Sequence, residues 1–105
     1  MVIKKQFSSL DDLIQNTPIP VFVCFYSNQC PYSQTYAPIL EQLKSQMGNQ
    51  IQVIKISTDK YPQLAAKHEI KASPTSLLFI QGELACRIKG VIQTPQLIQY
   101  LQKFL

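Results

Sequence analysis

A chain of 105 residues makes one domain, spanning 1–105, with no room for a second. With 46% apolar and 15% charged residues, and fourteen Gln carrying much of the remaining polarity, it is not intrinsically disordered. The net charge of +4 is spread over nine Lys and a single Arg, which argues against nucleic acid as a partner, and the absence of any run of about 18 apolar residues argues against a membrane partner.

The elements alternate in type along the chain. Val2 to Phe7 predicts a short strand, and Ser9, with Asp12 three residues on, predicts the cap of a short helix to about Asn16. Lys4 and Lys5 are not followed by an apolar stretch, so no secretory signal is expected and the cytoplasm is the expected location. After the breaker Thr17-Pro18-Ile19-Pro20 comes the unbroken apolar run Val21 to Tyr26, the pattern of a strand covered on both faces. Ser27 to Cys30 is a tight connection, and Pro31 starts a long helix to about Met47 with Tyr36, Ile39, Leu40, Leu43 and Met47 on one stripe. Pro38 lacks a backbone donor and predicts a kink there. Gly48-Asn49 ends the helix, and Ile51, Val53, Ile54 and Ile56 mark the next strand. Asp59 is expected to cap a short helix with Pro62 in its first turn and His68 in its body, the histidine at the surface. Ser76 to Ile80 and Leu84 to Lys89 form a hairpin across Gln81-Gly82. Thr94 is expected to cap the last helix, with Pro95 at its first position. The order β-α-β-α-β-α-β-β-α is that of an α/β domain, parallel where helices intervene and antiparallel at the hairpin.

Chemistry centres on cysteine. Cys24, Cys30 and Cys86 are too few and too odd in number for a disulfide scaffold. There is no C-x-x-C pair and only one His, so a zinc site lacks ligands. Neither a Walker A loop nor G-x-G-x-x-G is present, so no nucleotide cofactor is expected. Cys30 stands at the N-cap of the long helix, where the free N–H groups of Tyr32 and Ser33 could point at its sulfur and the positive helix end favours a thiolate. Cys24 reads as a small core residue, or as an unusual resolving thiol beneath the helix start, and Cys86 as structural.

Val21 to Ser33 resembles the active-site strand and loop of the thioredoxin family. Ala37-Pro38-Ile39-Leu40 is similar to its active-site helix, Ser73-Pro74-Thr75 to its cis-proline loop, and Gly90 to the glycine before its last helix. The resemblance covers nearly the whole chain. It implies a thioredoxin fold with a central mixed sheet of about five strands flanked by about four helices. It also implies that Cys30 is the attacking cysteine and that Pro74 is the cis-proline facing it. The backbone at Ser73 would hold an extended substrate segment as an added strand. Gln29, Pro31, Tyr32, Ser73, Thr75 and Gly90 are the substrate-binding positions on this reading.

The departures from the family are as informative. Ser33 replaces the second cysteine, Cys24 the aspartate beneath the site, and Tyr26 and Gln29 stand where tryptophans are common. Gln29, Thr58, Ser73 and Lys89 make the expected rim polar. Cys30-Pro31-Tyr32-Ser33 also resembles a glutaredoxin site that has lost its second cysteine. No Gly-Gly-x-Asp segment for glutathione lies near Gly90, and Pro31 stands where cluster-binding monothiol glutaredoxins have Gly. The expected function is a monothiol thiol–disulfide oxidoreductase that acts on protein disulfides as a monomer. It has no bound cofactor, and an external thiol such as glutathione is its co-substrate. The rival reading is a binding module that kept the fold and lost the redox cycle. A third is a redox sensor pairing Cys30 with Cys24 or Cys86.

Overall fold

The computed structural model describes residues 10–105. The predicted strand Val2 to Phe7 and the cap at Ser9 lie outside them. Helix α1 covers 10–16 among the described residues. Then follow β1 (Val21–Tyr26), α2 (Pro31–Met47), a 3-10 turn (Gly48–Gln50), β2 (Gln52–Ser57), α3 (Pro62–Lys67), β3 (Thr75–Ile80), β4 (Glu83–Lys89) and α4 (Thr94–Gln102). The four strands lie in the order β2-β1-β3-β4. β1 runs parallel to β2 and antiparallel to β3, and β3 and β4 are antiparallel.

Alternating strands and helices predicted parallel pairing for β3 as well, and the structure corrects this. A six-residue helix such as α3 rises about 9 Å, whereas a six-residue strand spans about 20 Å. α3 therefore does not itself span the sheet, and β3 starts at the end where β2 stops. α2, with seventeen residues, is about 25 Å long and makes the full return between β1 and β2.

β1 is covered on both sides, as its apolar run predicted. Phe22 and Cys24 pack with Tyr36, Leu40 and Leu43 of α2 and with Leu97 and Leu101 of α4. Val21, Val23 and Phe25 pack on the other face with Leu10, Ile14, Leu64, Leu77 and Phe79. The side-chain period of two splits one continuous run between two cores. At about 1.5–3 kcal/mol for each fully buried large apolar side chain, the first layer holds α2 and α4 against the sheet and the second holds α1 and α3. Pro38 lies inside α2 on its exposed side. Gly48 terminates the helix at φ +54. Gln81 and Gly82 both have positive φ, the signature of a two-residue type I′ turn, and only Gly82 adopts it freely.

Two predicted caps are corrected. The residue before α4 is Gln93, with no side-chain cap. The Thr94 hydroxyl instead donates to Gln42 Oε1 at 2.7 Å and ties α4 to α2. Tyr61, not Asp59, precedes α3, because the Asp59 carboxylate is drawn to another loop. α3 also ends at Lys67, with His68 as its C-cap.

Candidate active site

The sheet topology gathers four chain segments at one end: the loop after β1, the loop after β2, the start of β3 and the end of β4. Phe25 pairs with Thr75, and Thr75 with Lys89, so the last strand residues lie side by side beneath the loops. Cys30 sits where β1 hands over to α2. It occupies the N-cap in extended conformation (φ −103, ψ 118), with Pro31 at the first turn, where a missing N–H leaves nothing unsatisfied.

The sulfur is not held as the sequence suggested. It makes no cap hydrogen bond with Tyr32 or Ser33; the Ser33 N–H donates to the Cys30 carbonyl at 3.1 Å. The half-buried thiol reaches across to the opposite loop and donates to the Ser73 carbonyl at 3.3 Å. The Ser73–Pro74 peptide is cis and Pro74 is buried. Gly90, at φ +85, donates its N–H to the Pro74 carbonyl at 2.8 Å, a conformation that side-chain-bearing residues rarely adopt. Thr75 is buried under this loop and its hydroxyl donates to the Ala72 carbonyl at 2.7 Å. Its hydroxyl therefore supports the loop from below, and the residue also borders the groove beside that loop. Gln29, Pro31 and Tyr32 are exposed around Cys30, Tyr32 at 69% of its surface.

Ser33 is buried, and its hydroxyl accepts the Ser27 N–H at 3.2 Å. It lines a cavity of about 150 Å³ under the loop together with Cys24, Ala37, Leu40 and Lys55. Cys24 is fully buried, and burial pushes its thiol up to about 11, against smaller lowering effects of the Ser76 hydroxyl and the Lys55 charge. It is neutral at physiological pH and so supplies no anionic proton acceptor there. Tyr36 is pushed up to about 12, first by burial and then by neighbouring Cys24, with Ser76 opposing. Among the described residues the Tyr36 and Ser76 hydroxyls form no hydrogen bond, although Ser76 is near enough to lower both Cys24 and Tyr36. Cys86, on β4 against the α2 side of the core, is also raised by burial. All three cysteines are free thiols.

Asp59 is the residue that sequence reasoning misplaced. Its Oδ2 accepts from the Ser27 hydroxyl and from the Asn28 N–H, both at 2.9 Å. The same Ser27 hydroxyl accepts the Gln29 N–H at 3.2 Å, and the Ser27 carbonyl accepts the Cys30 N–H at 3.2 Å. One carboxylate thus anchors the turn that presents Cys30. His68 was expected at the surface and is instead half-buried between the rings of Phe25 (5.5 Å) and Phe79 (6.0 Å). Among the described residues its Nε2 has no hydrogen-bond partner, and its pKa is lowered, chiefly by burial, then by Lys67 and Arg87 against the opposing effect of Asp11. Among the described residues no group of side chains could hold a metal ion, and no helix is long and apolar enough to cross a membrane.

A helix-initiating thiol facing a Ser–Pro loop at one end of a mixed sheet, four-stranded among the described residues and with helices on both faces, defines a thioredoxin fold. Among solved structures, a chain from "Structural basis of the thiol resolving mechanism in yeast mitochondrial 1-Cys peroxiredoxin via glutathione/thioredoxin systems" superposes with a TM-score of 0.82. It is 26% identical, and the match covers 93% of this chain and 89% of that one. The thioredoxin family model matches residues 1–103. The chain is 48% identical to the thioredoxin-like protein slr0233 of Synechocystis over the full length of both. It is 41% identical to thioredoxin Y2, chloroplastic, of Arabidopsis thaliana, over 97% of this chain and 61% of that protein. The chain belongs to the thioredoxin family.

Proposed function

We propose that this protein is a monothiol thiol–disulfide oxidoreductase. The Cys30 thiolate attacks a protein disulfide or a glutathione mixed disulfide, forming a Cys30–substrate disulfide and expelling the other sulfur as a thiolate. An external thiol, glutathione, then attacks that mixed disulfide and returns Cys30 as a thiol. The observation that carries this reading is the occupancy of the resolving position. Ser33 is buried there, its hydroxyl bonded to Ser27, and cannot exchange with a disulfide. Cys24, the nearest alternative beneath the helix start, is held neutral by burial. The solved neighbour comes from work on thiol resolution in a 1-Cys peroxiredoxin via glutathione and thioredoxin systems.

Deprotonation of Cys30 ends its donation to the Ser73 carbonyl and frees that acceptor for the N–H of an extended substrate, placed beside the sulfur as an added strand. On this reading the protein acts as a monomer. Protein disulfides are its substrates, it needs no resident cofactor, and the glutathione-rich cytoplasm suits its chemistry.

The test is turnover of a glutathionylated model protein with glutathione as the sole reductant, wild type beside Cys30→Ala. Sustained release that requires Cys30 is expected. No release by the wild type would refute the reading and leave the second one, a binding module with an exposed polar and aromatic rim at Gln29 and Tyr32. That module would capture its partners equally well with Cys30→Ala.

A further inference from the structure

On the α3 side of the Ser73–Pro74 loop lies a second groove, of about 210 Å³, lined by Glu69, Lys71, Ala72, Thr75, Arg87 and Lys89. Three cations and one carboxylate meet there. The Arg87 guanidinium is fixed on the wall, donating to the His68 carbonyl at 2.9 Å and the Glu69 carbonyl at 3.4 Å. Both acceptors are neutral, and among the described residues no carboxylate forms an ion pair with it. Lys71 and Lys89 are exposed, and among the described residues neither pairs with a carboxylate.

The groove is continuous with the site. Lys71 stands two residues before Ser73, whose carbonyl meets the Cys30 thiol. Lys89 pairs with Thr75, directly after Pro74, and its neighbour Gly90 is bonded to Pro74. A polypeptide lying along this loop with its sulfur at Cys30 runs beside both lysines. β4, which carries Arg87 and Lys89, is also an edge strand among the described residues, paired only with β3. The counterpart on the Cys30 side, Asp59, is already engaged by Ser27 and Asn28.

We propose that this groove selects substrates whose disulfide is flanked by acidic residues. The proposal rests on the thiol–disulfide reading and adds its substrate class. Opposite charge at the mouth of a site raises the encounter rate and excludes like-charged partners, without needing tight pairing.

The experiment uses two peptides, each with one cysteine capped as a mixed disulfide with nitrothiobenzoate. In one, glutamates flank the cysteine on both sides; in the other, lysines do. Attack by the Cys30 thiolate forms a bond to the peptide sulfur and breaks the capping disulfide. The bond's electron pair leaves with the coloured thiolate, and the Cys30 proton goes to buffer. One thiolate is released per attack. At low ionic strength the wild type is expected to react about 10-fold faster with the glutamate peptide. The ratio should collapse in high salt, where exposed charges are screened. Lys71→Glu/Lys89→Glu should erase or reverse the preference. Lys44→Glu/Lys103→Glu makes the same change in net charge at the far end of α2 and beyond α4, and should keep it. A wild-type ratio near one overturns the proposal, as does an equal loss of preference in both double variants. Equal release from both peptides removes the groove and leaves the thiol–disulfide reading standing. No release from either peptide overturns the nucleophile itself, and the groove with it.

Discussion

Ser33→Cys restores a thiol at the third helical position after the Cys30 N-cap. Residues three apart on a helix face one another with Cβ atoms about 5–6 Å apart, and a disulfide needs about 3.5–4.5 Å. Closure therefore asks for a shift of about 1–2 Å, which the N-cap, extended and outside the helical ladder, can supply. The substitution also has a cost. The Ser33 hydroxyl is 5% exposed and accepts the Ser27 N–H at 3.2 Å. Sulfur accepts poorly, so the reduced variant should lose about 1 kcal/mol. In a domain of this size that lowers Tm by about 4–8 °C. The assay is oxidation with glutathione disulfide followed by alkylation and mass spectrometry. The wild type should take up glutathione on Cys30. The variant should instead close a disulfide between Cys30 and the introduced thiol, and stay free of glutathione. Stable glutathionylation of Cys30 in the variant, with the introduced thiol still open to alkylation, would refute the claim that Ser33 occupies the resolving position.

Three further outcomes follow from the same geometry. Asp59→Ala removes both anchors of the 27–28 turn and should slow alkylation of Cys30 several-fold, roughly what a lost hydrogen bond of about 1 kcal/mol implies. Asp59→Asn, which keeps an acceptor, should recover most of that rate, and equal rates in both variants would show that the anchor is irrelevant. His68 is held below its ordinary value of about 6.5, so the unfolded chain binds its proton first. Its contribution to stability is complete above about pH 6.5 and is lost as pH falls through the lowered folded value. Denaturant midpoints should drop across that window in the wild type and stay level in His68→Leu. Tyr36→Phe deletes a buried hydroxyl with no hydrogen-bond partner among the described residues, and should leave stability unchanged or raise it by about 1 kcal/mol in urea unfolding. A loss larger than that would mean the hydroxyl is bonded within the Cys24–Ser76 cluster.

Much of the site was legible in the sequence because its signals are short-range. Pro31 behind Cys30 marks a helix start whatever lies around it. Gly82 and Gly90 stand where φ is positive. The run Val21 to Tyr26 names a strand covered on both faces, and Ser33 names the missing thiol. Readings that depended on what a side chain touches fared worse. Asp59 and Thr94 have the chemistry of helix caps and stand where caps are wanted. Each found a stronger partner across the fold, Ser27 and Asn28 for one and Gln42 for the other. His68 looked like a polar residue of a surface helix, and the two phenylalanines that enclose it come from separate strands.

Local sequence was enough for the succession of elements from β1 onward, the place of Cys30 at a helix start and the absence of a second thiol at Ser33. These follow from backbone preference and covalent identity, which act over a few residues. Only the tertiary structure set β3 antiparallel to β1, through long-range pairing that no local preference in the 17-residue connection between β2 and β3 specifies. It also decided that the thiol faces Ser73 and not its own helix, that Asp59 anchors the loop, and that Lys71, Arg87 and Lys89 converge on one groove. Those contacts join residues 16 to 43 positions apart, and their partners are set by how the two faces of the sheet are filled.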